Sequence, residues 1–383
     1  MNTAQVRLPS RPAGIAGALA PLQALAPQLV LAFGDAGTVA DPGFARALAA
    51  AFPGACVAGC STAGEISSQG VSDGGCVVTA LHLDHGSVSV ARTRLADMAD
   101  SRDAGARLGR QLPRENLAGV LLFGQGLRIN GSALAEGLAS ALPPGVTVSG
   151  GLAGDGGAFQ RTWVLDGGEA SDDGLVALGL HGAKLRLAHG SFGGWKPFGP
   201  ARRVTRAENN VLFELDGEPA LGIYKKYLGE YASGLPASGL LFPFEMLDTD
   251  RSATGLIRTI LGVNEADGSL TLAGEILPGG YLRLMHANTD ALVDGAEAAA
   301  EAAAQAAGAP GASLALLVSC VGRKLVMGGR VDEEVEAVGS VLGRSATLAG
   351  FYSYGEISPL APGRGPSCGL HNQTMTITWL HEG

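Results

Sequence analysis

Gly59 to Ile66 reads GCSTAGEI, and Leu348 to Ile357 reads LAGFYSYGEI. Gly59, Gly64, Glu65 and Ile66 correspond to Gly350, Gly355, Glu356 and Ile357 at one constant offset (350 − 59 = 355 − 64 = 291). Each stretch ends a longer pattern. Ahead of the first, Leu29 to Phe33 (LVLAF) is a short apolar run closed by a Gly-Asp turn. Asp41 then caps a helix through Ala51, and Ala55 to Ala58 opens a second strand. Ahead of the second, Leu314 to Val318 (LALLV) and a helix from Asp332 to Leu342 stand in the same order. A further copy runs from Val120 to Phe123 (VLLF), through a helix from Ser132 to Leu142, to VTVSGGLAGDGG (Val146 to Gly157).

Strand, helix, strand and glycine turn therefore recur three times. Continuous apolar strands alternating with amphipathic helices predict an α/β fold, its mixed sheets covered by helices. The runs Cys76 to Leu83, Thr162 to Leu180 and Met375 to Leu380 alternate better and read as antiparallel additions. Duplication predicts two related halves packed face to face, with the glycine turns near a shared cleft. The chain divides into a lead-in segment (1–26, helical over Gly14 to Ala26), an N-terminal domain (27–201) and a C-terminal domain (202–383). The loop Gly190 to Gly199 precedes the boundary, and its Phe192, Trp195 and Phe198 are expected to be buried, joining the halves into one unit. Helices are predicted over Glu218 to Tyr231 and over Asp290 to Ala307, the latter closed by Gly308 and Pro310. A hairpin is predicted to turn at Asp267-Gly268.

Composition excludes several function classes. Of 383 residues, 59 are glycine and only 16% are charged, against a usual ~25%. The net charge is 27 − 36 = −9, without basic runs, which argues against nucleic-acid or anionic-membrane partners. No apolar run approaches the ~18 residues of a membrane span. Cys56, Cys60, Cys76, Cys320 and Cys368 form no CxxC pair and no CxxCH haem-attachment motif, which fits reduced cysteines in a cytoplasmic protein.

Ser61 lacks the GxSxG context, having Gly59 before it and Ala63 after it. Cys60 is a candidate thiolate nucleophile if His82 or His371 is brought beside it. Glu65 and Glu356 either receive hydrogen bonds at their turns or face a ligand. Asp155 caps a turn, and Arg323 either pairs with a carboxylate or lies at the surface. His181, His189 and His381 read as solvated.

GCSTAGEI, GGLAGDGG (Gly150 to Gly157), ELDGEPAL…YKKYLGE (Glu214 to Glu230), SCVGR (Ser319 to Arg323), GFYSYGEISP (Gly350 to Pro359) and HNQT (His371 to Thr374) together resemble the FIST family, over roughly residues 27 to 380. The resemblance implies an intracellular sensory module for small ligands. Similar bacterial members are haem proteins that sense nitric oxide and control a histidine kinase or a cyclic-di-GMP enzyme. The chain carries no kinase, receiver or cyclase motif, so its output passes through a separate signalling protein. The reading is a ligand sensor and not an enzyme; the alternatives are a hydrolase built on Cys60 or Ser61, or an interaction scaffold without a ligand. The expected pocket draws on Cys60, Ser61, Tyr352, Tyr354, Glu356 and His371. The ligand implied is non-covalent haem b, or otherwise an unknown small molecule. His371 is the candidate axial ligand, its second nitrogen oriented by Asn372 or Gln373, with His286 in LRLMHAN as runner-up.

Overall fold

The computed structural model describes residues 1–12, 14–308, 311–360 and 368–383. Three parallel strand pairs organise it: Leu29–Gly34 with Cys56–Ser61, Leu117–Gly124 with Thr147–Leu152, and Ser313–Cys320 with Ala346–Ser353. A helix links the members of each pair: Pro42–Ala51, Gly131–Ala141 and Asp332–Leu342. Asp41 caps the first by accepting from the Gly43 N–H at 2.9 Å, and Asn130 caps the second by accepting from Ala133 at 3.0 Å. Both satisfy donors that a helix start leaves without partners.

Each pair gains an antiparallel strand on one side, Cys76–His82, Gly174–His181 or Met375–Glu382. Beyond these lie Asn2–Leu8, Ser87–Arg94 and Leu185–Phe192. The other side is filled by exchange. The hairpin of Glu65–Ser67 and Gly70–Ser72 leaves the first unit and pairs with Ala346–Ser353 of the third. Val164–Asp166 and Glu169–Ser171, from the second, extend the first. Gly355–Ser358 and Gly369–His371, from the third, extend the second. The result is three six-stranded mixed sheets. The expected mixed, helix-covered α/β arrangement is present, and the repeated units share sheets in a closed cycle.

The units meet at Phe33, Phe123 and Phe351, whose ring centroids lie 4.7 to 6.2 Å apart. Gly59, Gly150 and Gly350 hold equivalent places in the three sheets. A Cβ added there would come within 1.8, 2.0 and 1.8 Å of the Ala32, Leu122 and Leu317 carbonyl oxygens. This close approach explains why the glycine recurs with the repeat.

Between Leu185–Phe192 and Ser313–Cys320 the third unit carries an insertion. It is a nine-stranded sheet running in sequence from Lys196–Pro197 to Tyr281–His286, followed by the helix Thr289–Ala307. The helix Ala220–Leu228 packs Leu221 and Tyr224 onto this sheet, against Leu212, Leu270 and Leu282.

Several expectations are corrected here. The helix expected over Glu218 to Tyr231 is α-helical over Ala220–Leu228, with Pro219 in the two-residue strand ahead of it and a 3-10 helix over Gly229–Gly234 after it. The lead-in segment has a helix at Ala16–Gln23, but it is preceded by the strand Asn2–Leu8, which its mixed polar pattern did not announce. Trp195 is buried and donates to the Gln373 carbonyl at 2.8 Å, whereas Phe192 and Phe198 remain 54% and 40% exposed. Pro310 lies outside the described residues. Among those described, no helix is long and apolar enough to cross a membrane.

Candidate functional site

A cleft of about 340 Å³ opens where the inserted sheet, the helix Gly131–Ala141 of the second unit and the exchanged hairpin of the third unit converge. That volume falls at the lower end of small-molecule sites. Arg258, the last residue of the strand Ala253–Arg258, lies in its wall and is 3% exposed. Its Nε donates to the Glu275 carbonyl at 2.9 Å, and its Nη1 to the Ile257 carbonyl at 3.1 Å and, at 3.4 Å, to Leu370. Among the described residues Nη2 donates to nothing, and no carboxylate oxygen lies within 4.0 Å of the guanidinium. Burial pushes this group down to about 10, so it stays protonated at neutral pH. Glu275 nearby favours the charged form without a direct ion pair to it, and a buried cation lacking a paired anion is costly.

The setting is built around that guanidinium. Gly274 has φ +148°, and a Cβ there would stand 3.0 Å from Arg258 Nε. The Ser132 hydroxyl, also in the wall, is buried without a hydrogen-bond partner. Ser132 is the second residue of its helix, at the positive end of the helix dipole. Met246, Leu256, Ile276, Leu360 and Leu370 supply apolar surface, and Glu136 and Glu275 stand in the same lining.

None of the expected pocket residues lines this cleft, although Glu356 and His371 stand opposite each other in adjacent strands. Cys60 is fully buried beside Phe33 in the central core, where burial pushes its thiol well up. The Ser61 hydroxyl donates to the Gly154 carbonyl at 2.7 Å and accepts from the Trp163 N–H at 2.8 Å. The Tyr352 hydroxyl donates to Glu334 at 2.5 Å. Tyr354 is half-buried, donates to Asp155 and stacks on Phe159 at 4.4 Å. Asp155 in turn accepts from the N–H groups of Phe159, Gln160 and Arg161, so it does cap a turn.

Glu65 and Glu356 occupy matching sites. Thr62 and Ser353, three residues earlier, each donate to the glutamate Oε1 at 2.8 Å. The same hydroxyls accept from the Gly64 and Gly355 N–H at 3.2 and 3.3 Å. Burial raises both carboxyls to about 7. Arg323 is buried against Glu334 at 2.7 Å, and Glu334 also takes the Ser319 hydroxyl at 3.0 Å.

His371 lies next to the cleft residue Leu370 and is 6% exposed. Its Nε2 faces the Ser358 carbonyl at 3.3 Å and its Nδ1 the Ser191 hydroxyl at 3.4 Å. Burial lowers it to about 4, leaving a neutral imidazole with both nitrogens facing protein oxygens. These surroundings do not fit a haem, which needs a free nitrogen facing an open apolar slot. Asn372 donates to the His371 carbonyl at 2.9 Å and Gln373 to the Leu240 carbonyl at 2.9 Å, so neither amide is placed as the orienting partner. His286 is exposed, edge-on to Phe198 at 5.9 Å and outside the cleft. Among the described residues no group of three or more His, Cys, Asp or Glu is placed to hold a metal ion.

The histidines read as solvated are held instead. His181 bonds Ser89 at 2.7 Å and His189 contacts Thr147 at 3.0 Å, while His381 is buried with its Nε2 unpartnered among the described residues. Sequence reasoning missed Arg258, Ser132 and Glu334. For Arg258 a signal existed: a lone charge inside the apolar run GLIRTIL (Gly255 to Leu261). Ser132 and Glu334 read as ordinary helix residues.

Comparison with known proteins places these features in a family context. The FIST N domain model matches residues 28–218 and the FIST C domain model residues 220–359. An uncharacterized protein of Methanocaldococcus jannaschii is 39% identical over 88 residues, 22% of this chain and 17% of that one. Uncharacterized proteins of Mycobacterium tuberculosis and Mycobacterium bovis are 29% and 28% identical over 225 and 230 residues, 57% of each chain. The matches thus span little more than half the length of the mycobacterial relatives. Among solved structures, "cyanuic acid hydrolase from A. caulinodans" aligns over 99% of this chain and 98% of its own, at 12% identity and a TM-score of 0.36. A likeness that weak carries no argument.

Proposed function

The chain belongs to the FIST family, and from that premise we propose that it is a sensor whose small ligand binds in the Arg258 cleft. The observation that carries this reading is the make-up of the cleft walls. Met246 and Leu256 come from the inserted sheet, Ser132 from the second unit and Leu370 from the exchanged hairpin. A ligand seated there touches all three parts at once, so it favours whichever relative placement gives it the better contacts. The altered placement is then read by a separate signalling protein, such as a histidine kinase or a cyclic-di-GMP enzyme.

The hydrolase alternative is weaker. Cys60 is sealed in the core with a thiol that resists ionisation, and the Ser61 hydroxyl bonds Gly154 and Trp163 rather than a histidine. Haem-based nitric oxide sensing is not carried further, because the surroundings of His371 do not accommodate it. Native mass spectrometry of the protein purified from its own host identifies a retained small molecule. Hydrogen exchange with and without that molecule then tests the reading. Protection is expected to rise in Ala253–Arg258, Gly131–Ala141 and Gly369–His371 together. A ligand that protects none of these elements would refute it.

A further inference from the structure

We infer that the cleft takes a small monocarboxylate with an apolar body, its carboxylate on Arg258 and Ser132. The inference deepens the sensor reading and rests on it for the location of the ligand. Two independent features point to an anion: a buried guanidinium whose Nη2 has no partner among the described residues, and the Ser132 hydroxyl, buried and without a partner in the same wall. Ser132 also presents the positive end of its helix to that wall. With Nε and Nη1 given to carbonyl oxygens, the Nη2 N–H groups are the free donors, and a carboxylate accepting from them keeps lone pairs for a further donor such as the Ser132 hydroxyl.

The rest of the lining narrows the class. Glu136 and Glu275 stand in the same wall, and they disfavour a second negative charge on the ligand, as on phosphate near neutral pH. Glu136 is already engaged by Arg102 at 2.6 Å. Met246, Leu256, Ile276, Leu360 and Leu370 reward an apolar remainder, and about 340 Å³ limits it to a compact one. Gly274 lets the guanidinium pack against its backbone, where a Cβ would stand 3.0 Å from Nε, and so helps hold Arg258 in place.

Thermal unfolding and calorimetric titration of the full chain test this with hexanoate and phenylacetate, their neutral amides hexanamide and phenylacetamide, and inorganic phosphate. At least one acid is expected to raise the unfolding temperature and bind, while its amide and phosphate do not. Arg258→Gln is expected to weaken that acid by about tenfold or more, the scale of a lost charged hydrogen bond. Ser132→Ala guards against a folding defect in Arg258→Gln. It removes a hydroxyl without a hydrogen-bond partner among the described residues, so it should fold as the parent does and still bind the acid several-fold more weakly. Equal binding of acid and amide, binding of phosphate alone, no binding by either acid, or unchanged binding in both variants would each overturn the assignment. A neutral molecule retained in the cleft and protecting its walls would overturn the carboxylate while leaving the sensor reading intact. An acid that binds through Arg258 without protecting the three walls would do the reverse.

Discussion

Glu65 and Glu356 are carboxyls placed where ionisation is costly, each buried and raised to about 7 from an ordinary 4.5. In the unfolded chain they release their protons near 4.5, whereas in the fold they keep them until about 7. Between those values the folded state holds the extra protons, so the contribution of these two groups is greatest below 4.5 and falls as pH rises through 7. The double variant Glu65→Gln, Glu356→Gln is expected to flatten this decline, read as a smaller change in denaturant midpoint between about pH 5 and pH 8. An unchanged slope would show that both carboxylates are ionised in the fold. Arg323 and Glu334 are also fully buried, but they form an ion pair at 2.7 Å. Glu334→Ala strands the guanidinium and removes the acceptor of the Tyr352 hydroxyl, with an expected loss of about 3–5 kcal/mol by denaturant unfolding. The sequence left Arg323 open between a buried pair and a surface charge, since an i+11 partner on a following helix carries no local signature.

The repeated strand pair, with its glycine at one fixed place, is the element on which the fold depends. Gly350→Ala puts a Cβ within 1.8 Å of the Leu317 carbonyl oxygen, a backbone atom that cannot rotate away. The expected destabilisation is at least about 3 kcal/mol, the upper end of overpacking. Gly222 supplies the contrast: it is exposed in the helix Ala220–Leu228, and an added Cβ there meets nothing within 4 Å. Gly222→Ala should stabilise by about 0.5–1 kcal/mol through propensity alone. Denaturant midpoints of both variants check the pair of predictions. Strands, linking helices and glycine turns were legible because apolar runs and caps are local signals. The exchange of hairpins was not, since Glu65–Ser67 pairs with Ala346–Ser353 across nearly the whole sequence. Much of the cleft was hidden for the same reason: Ser132, Arg258 and Leu370 are brought together only by those exchanges and by the insertion.

At the scale of the whole molecule the exchanges form a cycle, and a cycle has no natural place to cut. The second unit's hairpin completes the first sheet, the third unit's completes the second, and the first unit's completes the third. Phe351 closes the central ring cluster against Phe33 and Phe123 from the far end of the sequence. A fragment of residues 1–201 would keep two of the three parallel pairs but lose this closure. Thr147–Leu152 would become an open edge, the hairpin of Glu65–Ser67 and Gly70–Ser72 would lose the strand Ala346–Ser353 it pairs with, and two buried phenylalanines would face water. Exposed edges and apolar surface of this kind favour aggregation over independent folding. The full chain is therefore expected to unfold in one calorimetric transition with matching calorimetric and van't Hoff enthalpies. The 1–201 fragment alone should show no sharp transition, and co-expression with 202–383 should restore a soluble complex that melts as one. A 1–201 fragment that melts cooperatively near the temperature of the full chain would show that the strand exchange contributes little, and that the two family domains are stable apart.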